Sequence, residues 1–350
     1  MKIHEKYMSR CLQLAKNGLG NTYPNPMVGS VIVCDSKIIG EGWHQKAGQP
    51  HAEVNAINSV KETELLEKST IYVSLEPCSH FGKTPPCSDL IIAKGIKKVV
   101  IGTVDPFAEV AGRGIKKLLN AGCEVLVGIL ETECQTLNKR FFTFHQKKRP
   151  YVILKWAESL NGFIAPDAES RNKKEPFWIT TKTSRQLVHK WRAEEQSILI
   201  GANTVKADNP SLTTRDWAGN SPTRIIIDRE LSLSKEATVF DQQVPTLVIT
   251  TLEEENKPNL KYIKVDFTKN LPAQICEALY TEGLQSVIIE GGAKTLQAFI
   301  DEKIWDEARV FKGSSIFQSG VKAPVLKAIQ NSKNTMLNDD ILTFYSSTND

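Results

Sequence analysis

The stretch from Thr70 to Cys87 reads TIYVSLEPCSHFGKTPPC. Its first six residues are rich in β-branched and aromatic side chains and predict a strand over 70–75 that stops at Glu76-Pro77. The remainder is chemistry rather than core: Pro77-Cys78, then Cys87 after eight intervening residues. Upstream stands His51-Ala52-Glu53, where Pro50 predicts the start of a helix. One His and two Cys make three zinc-type ligands. Three protein ligands leave a fourth tetrahedral position open for water, the arrangement of a catalytic rather than a structural site.

Glu53 lies two residues from His51, which in mid-helix would put the two side chains on opposite faces. In the first turn both can look out of the helix end, where the dipole is positive. Cys78, beyond the strand, can reach a second such end, and a positive helix end and a metal both favour thiolate. The expected chemistry is hydrolytic. Zinc lowers the pKa of bound water, Glu53 takes its proton, hydroxide attacks an amidine-like carbon, and Glu53 protonates the leaving amine. H-x-E followed by P-C, with the Glu not a ligand, is a pattern of zinc nucleobase deaminases. A lone H-x-E is a common chance match, and a single buried Cys is ordinarily core; the weight rests on the whole constellation. We therefore expect Glu53 as the catalytic residue and one zinc ion per chain on His51, Cys78 and Cys87.

Working outward, strand and helix signals alternate. Residues 3–16 predict an amphipathic helix, 28–34 and 38–43 strands, 88–94 a helix, 97–103 a strand, 112–121 a helix and 123–128 a strand. The pattern breaks at HQKKRP, residues 145–150, and a new strand, YVILKWA, begins there. The second part alternates again, with strands SILIG, TRIIID, TLVIT and SVIIE and helices over 183–195, 271–281 and 293–300. Two α/β domains are expected, 1–146 and 150–350, in keeping with 350 residues. The last few polar residues read as a frayed tail. In the second part Glu290-Gly291-Gly292 is a glycine turn opening a helix at Ala293. It suits a phosphate on the helix N-terminus, over Gly292, Ala293, Lys294 and Thr295, and equally suits tight packing. It is not G-x-G-x-x-G, so the dinucleotide fingerprint is absent.

Charge excludes one class of partner. Residues 1–150 carry 20 basic and 14 acidic side chains, net +6, and the remainder 24 and 26, net −2. Lys147, Lys148 and Arg149 read as a solvated linker. No basic patch with interleaved aromatics marks a nucleic-acid surface. The apolar runs are too short for a membrane helix, the N-terminus MKIHEKYMSR is not a signal peptide, and seven scattered cysteines suggest reduced thiols in a cytoplasmic protein.

Asn25-Pro26-Met27-Val28-Gly29, His51-Ala52-Glu53-Val54 and Glu76 to Cys87 together resemble the bifunctional deaminase–reductases of riboflavin biosynthesis. The eight-residue spacer is the specific piece, since the general deaminase pattern is P-C-x-x-C. Asp105-Pro106 with Val110-Ala111-Gly112-Arg113-Gly114 also resembles the family, with Phe107-Ala108 a departure. So does Pro150 to Gly162, with Asn161 where the family has Asp, and Trp178-Ile179-Thr180, with Pro176-Phe177 where a Ser often contacts substrate. The resemblance implies a cytidine-deaminase-like three-layer α/β/α domain followed by a dihydrofolate-reductase-like α/β domain. It implies zinc-dependent deamination of 2,5-diamino-6-(5-phosphoribosylamino)pyrimidin-4(3H)-one and then NADPH-dependent reduction of the ribosyl side chain. Ala157, Trp178, Thr204 and Asp208 would touch NADPH, and Arg192, Leu212, Arg215 and Glu290 the phosphorylated pyrimidine. A homo-oligomer, dimer or tetramer, is implied as well. Two alternatives stay open: a zinc deaminase for another base, such as one in tRNA, and a zinc-stabilised binding module without turnover.

Overall fold

A computed structural model describes residues 2–79, 85–107, 111–167 and 177–348. The chain divides into two compact units, Met1–Lys148 and Arg149–Asp350.

In the first unit the elements run α1 (Lys2–Ala15), β1 (Gly29–Cys34), β2 (Lys37–Trp43), α2 (Ala52–Asn58), β3 (Thr70–Leu75), α3 (Cys87–Ala93), β4 (Lys98–Thr103), α4 (Arg113–Asn120), β5 (Glu124–Val127), α5 (Glu131–Leu137) and α6 (Lys139–Lys147). The sheet order is β2-β1-β3-β4-β5. β1 is antiparallel to both its neighbours, and β3, β4 and β5 are parallel. Alternate side chains divide between the faces. Ile32, Ile71, Val73, Val99 and Ile101 pack against Ala56 and Ile57 of α2, Ile91 of α3 and Leu118 of α4. Val31, Val33, Tyr72 and Val100 meet Tyr7, Met8 and Cys11 of α1 and Cys134 of α5 on the other face. The result is three layers, helix–sheet–helix. Helices α5 and α6 lie where the sequence pattern announces none.

The second unit contains β6 (Tyr151–Glu158), β7 (Phe163–Pro166), α7 (Lys182–Glu194), β8 (Ser197–Gly201), α8 (Ala202–Asp208), β9 (Thr223–Ile227), β10 (Thr246–Thr250), β11 (Leu260–Lys264), α9 (Leu271–Thr281), β12 (Ser286–Gly291), α10 (Ala293–Asp301), β13 (Glu307–Lys312), β14 (Gly320–Lys322), β15 (Ile329–Leu337) and β16 (Asp340–Ser347). Nine strands form one sheet in the order β11-β10-β9-β8-β12-β6-β13-β16-β15, and β14 pairs with β7 separately. From β11 to β13 the pairs are parallel. The inner strands β8, β9, β10 and β12 are covered on both faces, which is why they read as largely apolar runs. Val152, Leu154 and Val287 face α9 and α10 through Ile275, Leu279, Leu296 and Phe299. Ile153, Ile288 and Phe311 face α7 through Val188 and Trp191. The C-terminal residues correct the frayed-tail expectation. Ser346 and Ser347 pair in β16 with β15, and the Thr348 N–H donates to the Ala328 carbonyl; residues 349–350 lie outside the described residues.

Candidate functional site

In the first unit the functional side chains gather where β3 and β4 end. His51 stands at the N-terminal cap of α2 in extended backbone, and Glu53 occupies the first turn. Cys87 is the first residue of α3. Cys78 is tied to that helix end three ways. Its carbonyl accepts from the Ser88 N–H and hydroxyl at 3.1 and 3.0 Å, and its Sγ accepts the Cys87 N–H at 3.3 Å. His51 Nδ1 lies 3.6 Å from Cys78 Sγ and 3.3 Å from Cys87 Sγ. Glu53 is 3% exposed. Burial pushes its carboxyl up, to about 7, against the opposing pull of His51. The Cys78 thiol is held well below its ordinary range by Cys87 and the His51 ring.

Two further residues shape this cluster: His44, which carries no sequence signal, and Glu76, which opens the family-like run but is given no role there. His44 is buried edge-on to His51, with ring centroids 5.4 Å apart. Its Nδ1–H donates to the Pro50 carbonyl at 3.1 Å, which leaves Nε2 to accept from the Asn25 amide at 3.1 Å. Glu76 is buried directly before Pro77-Cys78. Its Oε2 accepts N–H groups of Gly112 (2.9 Å) and Asp105 (3.3 Å), and its Oε1 those of Gly114 (2.9 Å) and Ile115 (3.3 Å). It thus fastens the start of α4 to the segment that bears Cys78. A Cβ on Gly114 would come within 2.0 Å of the Pro77 carbonyl oxygen, so only glycine fits there. Phe107 packs on His145 at 5.1 Å. His80–Thr84, Ala108 and Val110 of the quoted motifs lie outside the described residues.

The second unit holds a cavity of about 860 Å³ beyond the carboxyl ends of its parallel strands. It is lined by Ala157, Trp178, Thr204 and Asp208, by Gly292, Ala293, Lys294 and Thr295, and by Arg192, Leu212, Arg215 and Glu290. Gly292 has φ +81°, the glycine-permitted region that lets the chain turn from β12 into α10. Glu290 is the electrostatic centre. Arg192 Nη2 donates to it at 2.7 Å, and Lys155 Nζ stands 4.0 Å away. Burial would raise the Glu290 carboxyl, but Arg192 and Lys155 outweigh it and hold it at about 2. Burial lowers the Lys155 ammonium. Arg192 Nη1 also donates to the Thr213 carbonyl at 3.2 Å. Arg215 bonds Ser211 through its side chain, and its own N–H donates to His189 Nδ1 at 3.1 Å. Lys155 lies inside the family-like stretch Pro150 to Gly162 but is not singled out there; His189 belongs to no quoted motif, although it sits one turn before Arg192 on the same face of α7. Asn161 explains its departure: Oδ1 accepts the Phe317 N–H at 3.2 Å and Nδ2 donates to the Phe317 carbonyl at 2.7 Å, a reciprocal pair that a carboxylate could not make. Phe177 packs on Phe317 at 5.1 Å; Pro176 lies outside the described residues.

Residues 1–103 match the cytidine and deoxycytidylate deaminase zinc-binding region, and residues 150–334 match the RibD C-terminal domain. A riboflavin biosynthesis protein RibD of Aquifex aeolicus is 42% identical over 91% of this chain and 89% of its own length. The chain belongs to the RibD family. A further RibD, from Escherichia coli, is 40% identical over 72% of this chain and 71% of its own. The crystal structure of a diaminohydroxyphosphoribosylaminopyrimidine deaminase/5-amino-6-(5-phosphoribosylamino)uracil reductase from Thermotoga maritima superposes with a TM-score of 0.87 at 39% identity, covering 99% of both chains. The RibD of Acinetobacter baumannii superposes equally well at 32% identity, again over 99% of both chains. The protein is accordingly a bifunctional deaminase and reductase of riboflavin biosynthesis, with zinc and NADPH as its cofactors, acting on a small phosphorylated pyrimidine. No described helix is long and apolar enough to cross a membrane.

The residues present fit a zinc ion. Zn–S of about 2.3 Å and Zn–N of about 2.0–2.1 Å at tetrahedral angles put nitrogen and sulfur about 3.5 Å apart, which the 3.3 and 3.6 Å separations bracket. Among the described residues His51, Cys78 and Cys87 are the group of three or more metal-ligating side chains that converges.

Proposed function

We propose a division of labour among the residues. His51 Nδ1, Cys78 and Cys87 would hold zinc, which when bound would supply acidification of a water. Glu53, dry and two residues from His51, takes the proton from that water and returns it to the departing amine. His44 holds the Asn25 amide beside the cluster. Glu76 keeps Cys78 in place. This chemistry belongs to residues 1–146.

Residues 150–350 carry the reduction, for which NADPH supplies the hydride. Ala157, Trp178, Thr204, Asp208 and the turn Gly292 to Thr295 would bind it, and Arg192, Leu212, Arg215 and Glu290 the pyrimidine and its sugar phosphate. Arg192 serves mainly by fixing Glu290, since its strongest contact is that carboxylate. We further propose a homo-oligomer, dimer or tetramer, in the cytoplasm. The support for assembly is β15, the last strand of the nine-stranded sheet, with eight of its nine residues exposed and one edge facing no strand among the described residues.

The observation that carries the reading is the approach of one imidazole nitrogen to two thiols beside a buried carboxylate. The intact protein is assayed for bound zinc, ammonia release and NADPH oxidation on deaminated substrate. Chelation is expected to abolish ammonia release and leave NADPH oxidation running. Loss of both activities, or of neither, would overturn the division. Light scattering tests the assembly, and a monomer would refute it.

A further inference from the structure

The reductase cavity contains a cation that the proposed substrate and cofactor contacts leave unused. Arg185 lines the cavity from the first turn of α7. It shares a helix face with His189 and Arg192, four and seven residues on, so it stands about 10 Å from Arg192 along the axis. The other cavity cations are engaged. Arg192 and Lys155 face Glu290, Arg215 bonds Ser211, Lys206 donates to Ser232 at 2.8 Å, and Arg229 stands 3.9 Å from Glu230. Lys294 has no such partner among the described residues, but it is exposed and belongs to the glycine turn. Arg185 has no hydrogen-bond acceptor among the described residues, and its Nε is fully buried without one. Its guanidinium instead lies over the Trp178 ring, 4.4 Å from the centroid.

That arrangement is unfavourable in isolation, because a buried N–H without an acceptor has lost its water and gained nothing. It is favourable as a receptor. The indole holds the guanidinium by cation–π contact, which restricts a long side chain before any ligand arrives. That contact takes up none of the N–H donors, and the guanidinium fork matches the oxygen pair of a phosphate.

We propose that Arg185, clamped on Trp178, is a phosphate-binding residue of the reductase cavity. This inference rests on the reductase reading of that cavity. The phosphate is supplied either by NADPH or by the sugar phosphate of the pyrimidine.

The test measures dissociation constants by calorimetry on the zinc-loaded full chain. Three ligands are titrated: NADPH, 5-amino-6-(5-phosphoribitylamino)uracil, and the same ribitylaminouracil without phosphate. Arg185→Met keeps the aliphatic stem on Trp178 and removes the charge. Arg185→Lys restores charge without the planar fork. Arg185→Met is expected to weaken NADPH or the phosphorylated uracil by about 10- to 150-fold, the worth of one charge-assisted hydrogen bond, and to leave the unphosphorylated uracil unchanged. Arg185→Lys is expected to recover part of the loss. Which ligand loses affinity names the source of the phosphate. Wild-type affinity for all three ligands in Arg185→Met, or an equal loss on the unphosphorylated uracil, overturns the proposal. If the wild-type protein itself binds neither NADPH nor the phosphorylated uracil, the reductase reading fails instead.

Discussion

Replacing Glu76 by Gln tests whether the segment bearing Cys78 is held by a carboxylate. The change is nearly isosteric, so it leaves packing alone and alters only acceptors. At present each oxygen takes one good N–H bond at 2.9 Å and one longer bond at 3.3 Å. Glutamine keeps one oxygen and turns an NH₂ toward the other two N–H donors. Two hydrogen bonds are lost, one of each length, and the two N–H groups they leave stranded cost about 1–3 kcal/mol each. Allowing for partial relaxation we take about 3 kcal/mol. For a unit near 150 residues, about 2–4 °C per kcal/mol gives a fall in Tm of about 6–12 °C. The assay is scanning calorimetry of the zinc-loaded full chain, where the deaminase transition is the one that moves when zinc is chelated. Ammonia release is measured in parallel, and the variant should also lose zinc faster on dilution into chelator. A Glu76→Gln protein that melts within a degree or two of wild type and holds zinc as long would show that the four N–H contacts do not anchor Cys78.

Glu53→Gln should keep its zinc and lose at least 10²–10⁴-fold in ammonia release, the usual worth of a general acid–base group; a metal count beside the rate separates this from simple loss of the site. Cys78→Ser should lose metal and activity together, and zinc retained at full stoichiometry would remove Cys78 from the ligand set. Arg192→Met should destabilise the reductase unit by about 3–5 kcal/mol, because it strands a buried carboxylate. Adding Glu290→Gln should recover much of that in a thermal melt, and additive losses would refute the coupling. The folded Glu290 carboxyl, at about 2, lies below the ordinary glutamate value. Its contribution is therefore complete above about pH 5 and is lost as pH falls toward 2. Acid unfolding of Glu290→Gln should show a shallower slope across that window.

Features are legible in the sequence in proportion to how tightly they are constrained. Ligand chemistry admits few residue types, so His51, Cys78 and Cys87 are readable without any fold. Strands buried on both faces, such as Ile198–Ile200 and Ile225–Ile227, announce themselves as apolar runs. β15 does not, because eight of its nine residues face water and no burial pattern is imposed on IQNSKNTML. The partners of Glu76 are backbone amides 29 to 39 positions away, and a backbone amide leaves no mark on the sequence. Asp340 is similar. It accepts the Thr181 N–H and hydroxyl at 2.8 Å each and the Ser184 hydroxyl at 2.6 Å, tying the last hairpin to the start of α7. An Asp at a turn looks the same whether or not it does this. Arg192 by itself reads as a surface residue, and only the family resemblance marks it as a substrate contact; its carboxylate partner, 98 residues on, leaves no sign in the sequence.

The position of β6 bears on how the chain is made. It is the first strand of the second unit to be synthesised, yet its neighbours in the sheet are β12 and β13, which span Ser286 to Lys312. At about 5–20 residues per second of translation, the interval is about six to thirty seconds. The first unit has no such wait, since each pairing in its sheet closes within a few tens of residues. It can fold and take up zinc while the reductase is still an open chain. Throughout that interval YVILKW is an apolar strand with both edges unsatisfied, a segment for which chaperones and neighbouring nascent chains compete. Slowed elongation between residues 158 and 286 should therefore reduce the yield of active reductase while leaving the deaminase intact.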